Sequence, residues 1–327
     1  MTTARLGLLL AASAMSASCG LLYRGGVRLF YKEVKLPAAQ IVRDIPYAGL
    51  SSTPKQQLNL FVPQGKDWPM VVFVHGGSWF EGDKNLEVGG ADVYNNIGRF
   101  LASNGIGAAV ISYRLLPEVS WQGQAADAAT AVQWVGAHAR EYGARPGCVF
   151  LMGHSAGAQI AARVALEAAA GRANDGAMPA TCGVIAVSGA GYDMADQRTY
   201  ELGNNPGFYE RRFGGTPDWQ TTASPIRFVT REAAPKIPPF LLLYAGGETK
   251  PLQRQSQLLH ERLLAAGARS SIVVVPGESH TRIVLTLSRD DKTAGPAILT
   301  FIRSLQPANI AHSASATMAG TARAPFQ

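Results

Sequence analysis

The pentapeptide Gly153-His154-Ser155-Ala156-Gly157 has the make-up of a nucleophile site. It follows the apolar stretch Cys148-Val149-Phe150-Leu151-Met152 and runs at once into Ala158-Gln159-Ile160-Ala161-Ala162, a good helix former. A serine between two glycines at a strand-to-helix turn has its hydroxyl pushed out above a sheet, because neither flanking glycine has a side chain to collide with its surroundings. The bare pattern arises by chance in about one chain of this length in ten, so the strand before it and the helix after it carry the weight. The chemistry is acyl transfer: attack on a carbonyl carbon by Ser155. That reaction needs a base for the serine proton and donors aimed at the oxygen that becomes negative.

Ala156 offers one backbone amide, at the positive end of the helix that follows. A second donor is expected after an earlier strand, where Val71-Val72-Phe73-Val74 leads into His75-Gly76-Gly77-Ser78-Trp79 and glycines let the backbone approach a substrate closely. Gly77 and Ser78 are the predicted donors there, with Gly76 as a third candidate. The chain has six histidines. His75 belongs to the glycine turn and His154 to the pentapeptide, His138 and His260 lie in amphipathic helical patterns, and His312 sits near the C-terminus. His280 follows an apolar run through Pro276-Gly277-Glu278-Ser279, on a loop from which it can reach Ser155, and is the predicted base. Two carboxylates are candidates for orienting it: Glu248, in Tyr244-Ala245-Gly246-Gly247-Glu248, and Asp193, after Cys182–Ser188.

The elements that must hold these residues alternate along the chain. Strands are predicted at Ile41–Tyr47, Gln57–Val62, Met70–His75, Gly107–Ser112, Cys148–Gly153, Cys182–Ser188, Phe240–Tyr244 and Ser271–Pro276, several without in-out alternation. Helical patterns fall at about Ala91–Asn104, Gln124–Tyr142, Ala156–Ala170, Leu252–Ala266 and Pro296–Leu305. This order means α/β architecture: a mainly parallel sheet with helices on both faces and Ile41–Tyr47 as an antiparallel edge. Gly191–Trp219 breaks the rhythm and stands where a lid or specificity loop would. With no repeat or linker inside it, 22–305 reads as one domain.

Composition narrows the function. The chain has 327 residues, 47% of them hydrophobic, which is enough for a large core, and its three cysteines exclude a disulfide framework or a four-thiolate zinc site. The net charge of +7 comes from scattered residues with no Lys/Arg cluster among aromatics, so nucleic acid is not an expected partner. No residue cluster has metal-ligand spacing and no Gly-rich loop is built for a phosphate, so neither metal nor cofactor is expected. Residues 1–18 carry one charge, Arg5, then an apolar run and small residues, the layout of a secretory signal peptide. Processing is expected either after Ala14 or, as in a bacterial lipoprotein, before Cys19, which would attach the protein to a membrane. Export to a periplasmic or membrane-anchored location is the expectation. Residues 306–327, rich in Ala, Ser and Thr, read as a disordered tail.

His75–Trp79, Gly82-Asp83-Lys84, Ser112-Tyr113-Arg114-Leu115, Asp127, Gly153–Gly157, Tyr192-Asp193 and Ser279-His280-Thr281 together resemble the α/β-hydrolases of the esterase/lipase type. The pattern is similar to small carboxylesterases related to isoprenylcysteine methylesterases and kynurenine formamidases. The resemblance implies an α/β-hydrolase fold, with a sheet of about eight strands and a small cap, 191–219, inserted after the sixth. It implies Glu248 rather than Asp193 as the acid, because the family's usual acid follows the strand Phe240–Tyr244, and a structural role for Asp127. Cys148 and Cys182 open strands that are neighbours in such a fold, which leaves a disulfide or two buried thiols open. The implied activity is a serine carboxylesterase acting on small-molecule esters through Ser155, His280 and Glu248. An arylformamidase-type amidase with the same triad, or a non-catalytic binding lipoprotein on the same fold, are the alternatives. Oligomeric state is not legible in the sequence.

Overall fold

The computed structural model describes residue 27 and residues 30–172 and 178–306. The predicted signal segment, Cys19 and the predicted tail from 307 onward lie outside the described residues. Eight strands form one sheet: β1 (Ile41–Pro46), β2 (Gln57–Phe61), β3 (Trp68–Val74), β4 (Gly107–Ile111), β5 (Ala144–His154), β6 (Ala180–Val187), β7 (Phe240–Ala245) and β8 (Ser270–Val275). Their spatial order is β1-β2-β4-β3-β5-β6-β7-β8. The strands β3 to β8 run parallel to one another, while β2 is antiparallel to both β1 and β4.

The missing in-out alternation has a direct cause. In β3, Met70, Val72 and Val74 pack into one core and Val71 and Phe73 into another, and β5 divides the same way, with Val149 and Leu151 against Phe150 and Met152. Both faces of these central strands are therefore covered, which removes any pressure for polar residues at alternate positions. Helices α1 (Val93–Ser103), α8 (Arg282–Leu285) and α9 (Ala294–Ser304) cover one face. Helices α2 (Trp121–His138), α3 (Ala156–Ala169) and α7 (Lys250–Ala266) cover the other. Gly105 and Gly267, just past α1 and α7, have φ of +77° and +93°, the left-handed stop that a glycine supplies readily.

The segment Gly191–Trp219, which shows no period in the sequence, folds as three short helices: α4 (Gln197–Glu201), α5 (Pro206–Phe213) and the start of α6 (Trp219–Thr222). Capping rather than periodicity starts the first two: Asp196 accepts from the Thr199 amide, and Asn205 accepts from the Gly207 amide with Pro206 at the first helical position. One or two turns are too short to display an amphipathic repeat. This cap rests on the turn after β3, where the Trp79 ring packs edge-on against Phe208, Tyr209 and Phe213.

Cys148 on β5 and Cys182 on β6 are joined by a disulfide, with Cα atoms 5.3 Å apart. It sits at an irregularity in the β5–β6 ladder, where Val149 pairs with Thr181 but Phe150 with Gly183, so Cys182 is the extra residue. The bond closes a loop with a sequence separation of 34 residues. Cys148→Ser with Cys182→Ser is expected to lower the unfolding free energy by about 2–4 kcal/mol. Urea denaturation checks this: the wild type in dithiothreitol should match the double variant, and unchanged midpoints would show that the bond stabilises nothing.

Candidate active site

Ser155 sits between β5 and α3 with φ 54° and ψ −120°, a strained backbone for a residue with a side chain. Its amide donates to Val187 O at 2.9 Å, anchoring the turn on the end of β6. A Cβ at position 157 would lie 2.2 Å from the Val74 carbonyl oxygen, so only glycine lets the turn close against the end of β3. The strained turn thus puts the serine hydroxyl at the carboxyl end of the sheet, where active sites of open α/β folds lie.

His280 lies on the loop after β8, and Glu248 in the turn after β7. Because β7 and β8 are parallel neighbours in unbroken register, their turns leave the sheet side by side, and the ladder continues as Gly246 N–H to Val275 O at 2.8 Å and Gly247 N–H to Glu278 O at 2.9 Å. His280 Nε2 stands 2.9 Å from Ser155 Oγ, and His280 Nδ1 stands 2.7 Å from Glu248 Oε1. With the Nδ1 proton donated to the carboxylate, Nε2 is left bare to accept from the serine hydroxyl. The Glu248 side chain is fully buried, so its charge faces the imidazole rather than water. The structure does not bring Asp193 to His280: its carboxylate accepts from the Ala195 amide and its own amide donates to Gln255. Asp127 takes a two-pronged contact from Arg114 and a bond from Gln56, as expected of a structural carboxylate.

The turn after β3 is wound tightly. The Gly77 carbonyl accepts from both Phe80 and Glu81, and a Cβ on Gly77, whose φ is +129°, would lie 1.9 Å from the Glu81 oxygen. In a trans peptide the amide points opposite to the carbonyl before it, so the Ser78 N–H is turned away from the turn's interior. The same holds for Ala156, since the Ser155 carbonyl points along α3 to Ala158. Gly76 departs from expectation: its amide donates to the Tyr94 hydroxyl at 3.2 Å and is not available to a substrate. Gly77, Ser78 and Ala156 remain as candidate donors.

Ser78, Ser155 and His280 line one cavity of about 460 Å³, within the range of roughly 300–1,000 Å³ typical of small-molecule sites. Trp79, Phe208 and Tyr209 form an aromatic wall, and Leu202, Lys250 and Leu252 lie on its other sides.

The alpha/beta hydrolase fold family matches residues 71–284, which span β3 to α8 and every residue of the site. The chain belongs to this family. Isoprenylcysteine alpha-carbonyl methylesterase ICME of Arabidopsis thaliana is 28% identical over 259 residues, 75% of this chain and 58% of that protein. Esterase LipC of Mycobacterium tuberculosis is 29% identical over 251 residues, 73% of this chain and 59% of that protein. The chain therefore spans less than three fifths of the length of these curated relatives. Among solved structures, esterase B from Lactobacillus rhamnosis superposes with a TM-score of 0.69 at 23% identity, covering 92% of this chain and 94% of its own, a likeness of fold.

In this α/β-hydrolase, several residues at the site carry no motif of their own. Arg212 of the cap donates through Nε to the Ser78 carbonyl at 2.9 Å while its guanidinium lies over the Phe208 ring. Gln124 Nε2 holds the Trp79 carbonyl at 2.8 Å, and Trp79 Nε1 donates to Gln159. These contacts fix the turn from outside, and nothing in the spacing of Arg212 announces its part. Among the described residues, no group of three or more His, Cys, Asp or Glu is arranged to hold a metal ion.

Two buried histidines frame the site. Burial pushes His75 down to about 4, and burial together with the neighbouring His280 pushes His154 down to about 3, so both rings are neutral in the folded protein at pH 7. Unfolding returns them to the ordinary 6.5, so below that pH the unfolded chain binds more protons than the native one. Their contribution to stability is complete above about pH 6.5 and is lost as the pH falls toward 4. Together they are expected to lower the unfolding free energy by about 2 kcal/mol per pH unit between pH 6 and 5. Urea denaturation across that interval tests this, and His154→Gln should remove about half of the slope. An unchanged slope in the variant would mean that His154 titrates normally when folded.

Proposed function

We propose that the protein is a serine carboxylesterase that hydrolyses small carboxylic esters through an acyl-enzyme. The hydrogen-bonded line Glu248–His280–Ser155, with 2.7 and 2.9 Å contacts and opening on the cavity shared with Ser78, is the observation that carries the reading. Ser155 Oγ attacks the acyl carbon as His280 Nε2 takes its proton, and the carbonyl oxygen becomes negative toward the amides of Gly77, Ser78 and Ala156. The tetrahedral intermediate collapses when His280 returns the proton to the departing alkoxide, leaving an acyl-serine and a free alcohol. Water then attacks the acyl-serine with His280 again as base, and as the second tetrahedral intermediate collapses His280 returns that proton to Ser155 Oγ and the acid is released. Glu248 keeps the imidazole in the tautomer that can accept from serine and stabilises the imidazolium that forms. Relatives that are named esterases support the reaction class. A non-catalytic hydrolase-fold protein has no need to keep acid, base and nucleophile in contact, and here all three are in contact.

We further infer that the protein works outside a reducing compartment. The Cys148–Cys182 disulfide supports this, as does the apolar N-terminal run with its small-residue flank ahead of Cys19. The cavity volume is that of a site for a small-molecule ester.

Hydrolysis of p-nitrophenyl esters of increasing chain length tests the function. Ser155→Ala is expected to abolish turnover, and Glu248→Gln to lower kcat by about a hundredfold or more. Wild-type turnover in Ser155→Ala would remove the nucleophile assignment, and full activity in Glu248→Gln would remove the acid. Activity confined to formylated anilides would instead make the protein an arylformamidase-type amidase.

A further inference from the structure

The residue before the nucleophile is not idle. His154 ends β5 with its ring buried, and its Nε2 lies 3.0 Å from the backbone carbonyl of His280. A carbonyl oxygen can only accept, so Nε2 carries the proton and Nδ1 is bare. The Tyr94 hydroxyl of α1, 3.2 Å from Nδ1, must then donate to it, and the same hydroxyl oxygen accepts from the Gly76 amide at 3.2 Å. Proton direction is therefore set along the whole line: Gly76 N–H to Tyr94 Oη–H to His154, and His154 Nε2–H to His280 O. The line joins the turn that carries Gly77 and Ser78 to the main chain of the histidine that contacts Ser155. Its path explains the first glycine of His75-Gly76-Gly77, since a Cβ at position 76 would stand 3.0 Å from His154 Nδ1 and 3.1 Å from the Tyr94 hydroxyl.

We propose that His154 and Tyr94 are positioning residues, which set the oxyanion turn and the catalytic histidine at one fixed separation on either side of Ser155. The proposal rests on the reading of Ser155, His280 and Glu248 as the catalytic line. His154 acts through the backbone of His280, to whose carbonyl its Nε2 donates. The two imidazole rings lie 5.0 Å apart, so a cationic ring at 154 would oppose the imidazolium that forms on His280, and the buried neutral ring does not. What the line supplies is geometry that is in place before the substrate arrives, and displacement of a base or donor by even an ångström is costly in rate.

The test uses the full chain on a p-nitrophenyl ester, with kcat and KM measured separately. Tyr94→Phe deletes one hydroxyl and keeps the ring that packs on Phe73, so it is expected to fold normally and to lose about tenfold in kcat with KM within twofold. His154→Leu, of similar bulk and without a donor, is expected to lose at least about thirtyfold in kcat. His154→Gln, whose side-chain amide can still donate to the His280 carbonyl, should recover about tenfold of that loss, which a purely space-filling role for residue 154 would not predict. Wild-type kcat in Tyr94→Phe, equal rates for the Leu and Gln variants, or a loss confined to KM would each overturn the proposal. Should His154→Leu fail to fold, the kcat of Tyr94→Phe decides alone. Ser155→Ala run alongside separates the two readings: if it is inactive while Tyr94→Phe keeps wild-type kcat, only the positioning role falls, whereas wild-type turnover in Ser155→Ala removes the catalytic line itself.

Discussion

Everything at the candidate site depends on how closely two adjacent parallel strands bring their ends together. The turn after β5 packs so tightly on the end of β3 that a single Cβ at Gly157 would stand 2.2 Å from the Val74 oxygen, and one at Gly153 would stand 2.2 Å from the Gly157 oxygen. This contact forces Ser155 into its positive-φ conformation and lifts its hydroxyl clear of the sheet. It also sets Ser155 beside the turn that carries the Gly77 and Ser78 amides. Backbone so closely packed cannot drift, and rigid placement is what acyl transfer demands of donors that act only when charge develops on the substrate.

Several polar groups that this geometry buries meet a partner, although Glu248 Oε2 and His75 Nε2 have no hydrogen bond among the described residues. Glu248 is enclosed with His280 as its partner, and His75 is neutral, stacked on Tyr113 with its Nδ1 bonded to the Gly76 carbonyl. Glu278, also fully buried, faces Arg282 and Lys292. A buried carboxylate without such a partner would draw a proton and lose its charge. The cap contributes on the other side: α5 covers Trp79 with three aromatic rings, and Arg212 fastens the Ser78 carbonyl, so one short insertion shapes the cavity wall and braces the turn beneath it.

How much of this could be read beforehand follows the range of each interaction. The doubly covered strands and the strand–Gly-x-Ser-x-Gly–helix passage are local in sequence, and they appear in the structure within a few residues of where the pattern puts them. His280 was legible by exclusion, since the other histidines fall in helices, in the two turns or near the C-terminus. Glu248 was legible only through family resemblance, because two carboxylates follow successive strands and spacing does not choose between them. The cap was legible as an interruption and not as three helices, since capping side chains started them and their length hid any period.

The sequence by itself determined the order of strands and helices, the turn that exposes Ser155 and the set of residues able to do acyl chemistry, because these follow from periodicity, sterics and side-chain type over short stretches. Only the tertiary structure decided which of those residues meet. It joined Ser155 to His280 across 125 positions and tied His280 to Glu248 rather than leaving it near Asp193. It gave the Gly76 amide to Tyr94 instead of a substrate, and it closed the Cys148–Cys182 bond. A hydrogen bond depends on separation and angle in space, and residues far apart in the chain acquire both only when the sheet sets their strands side by side.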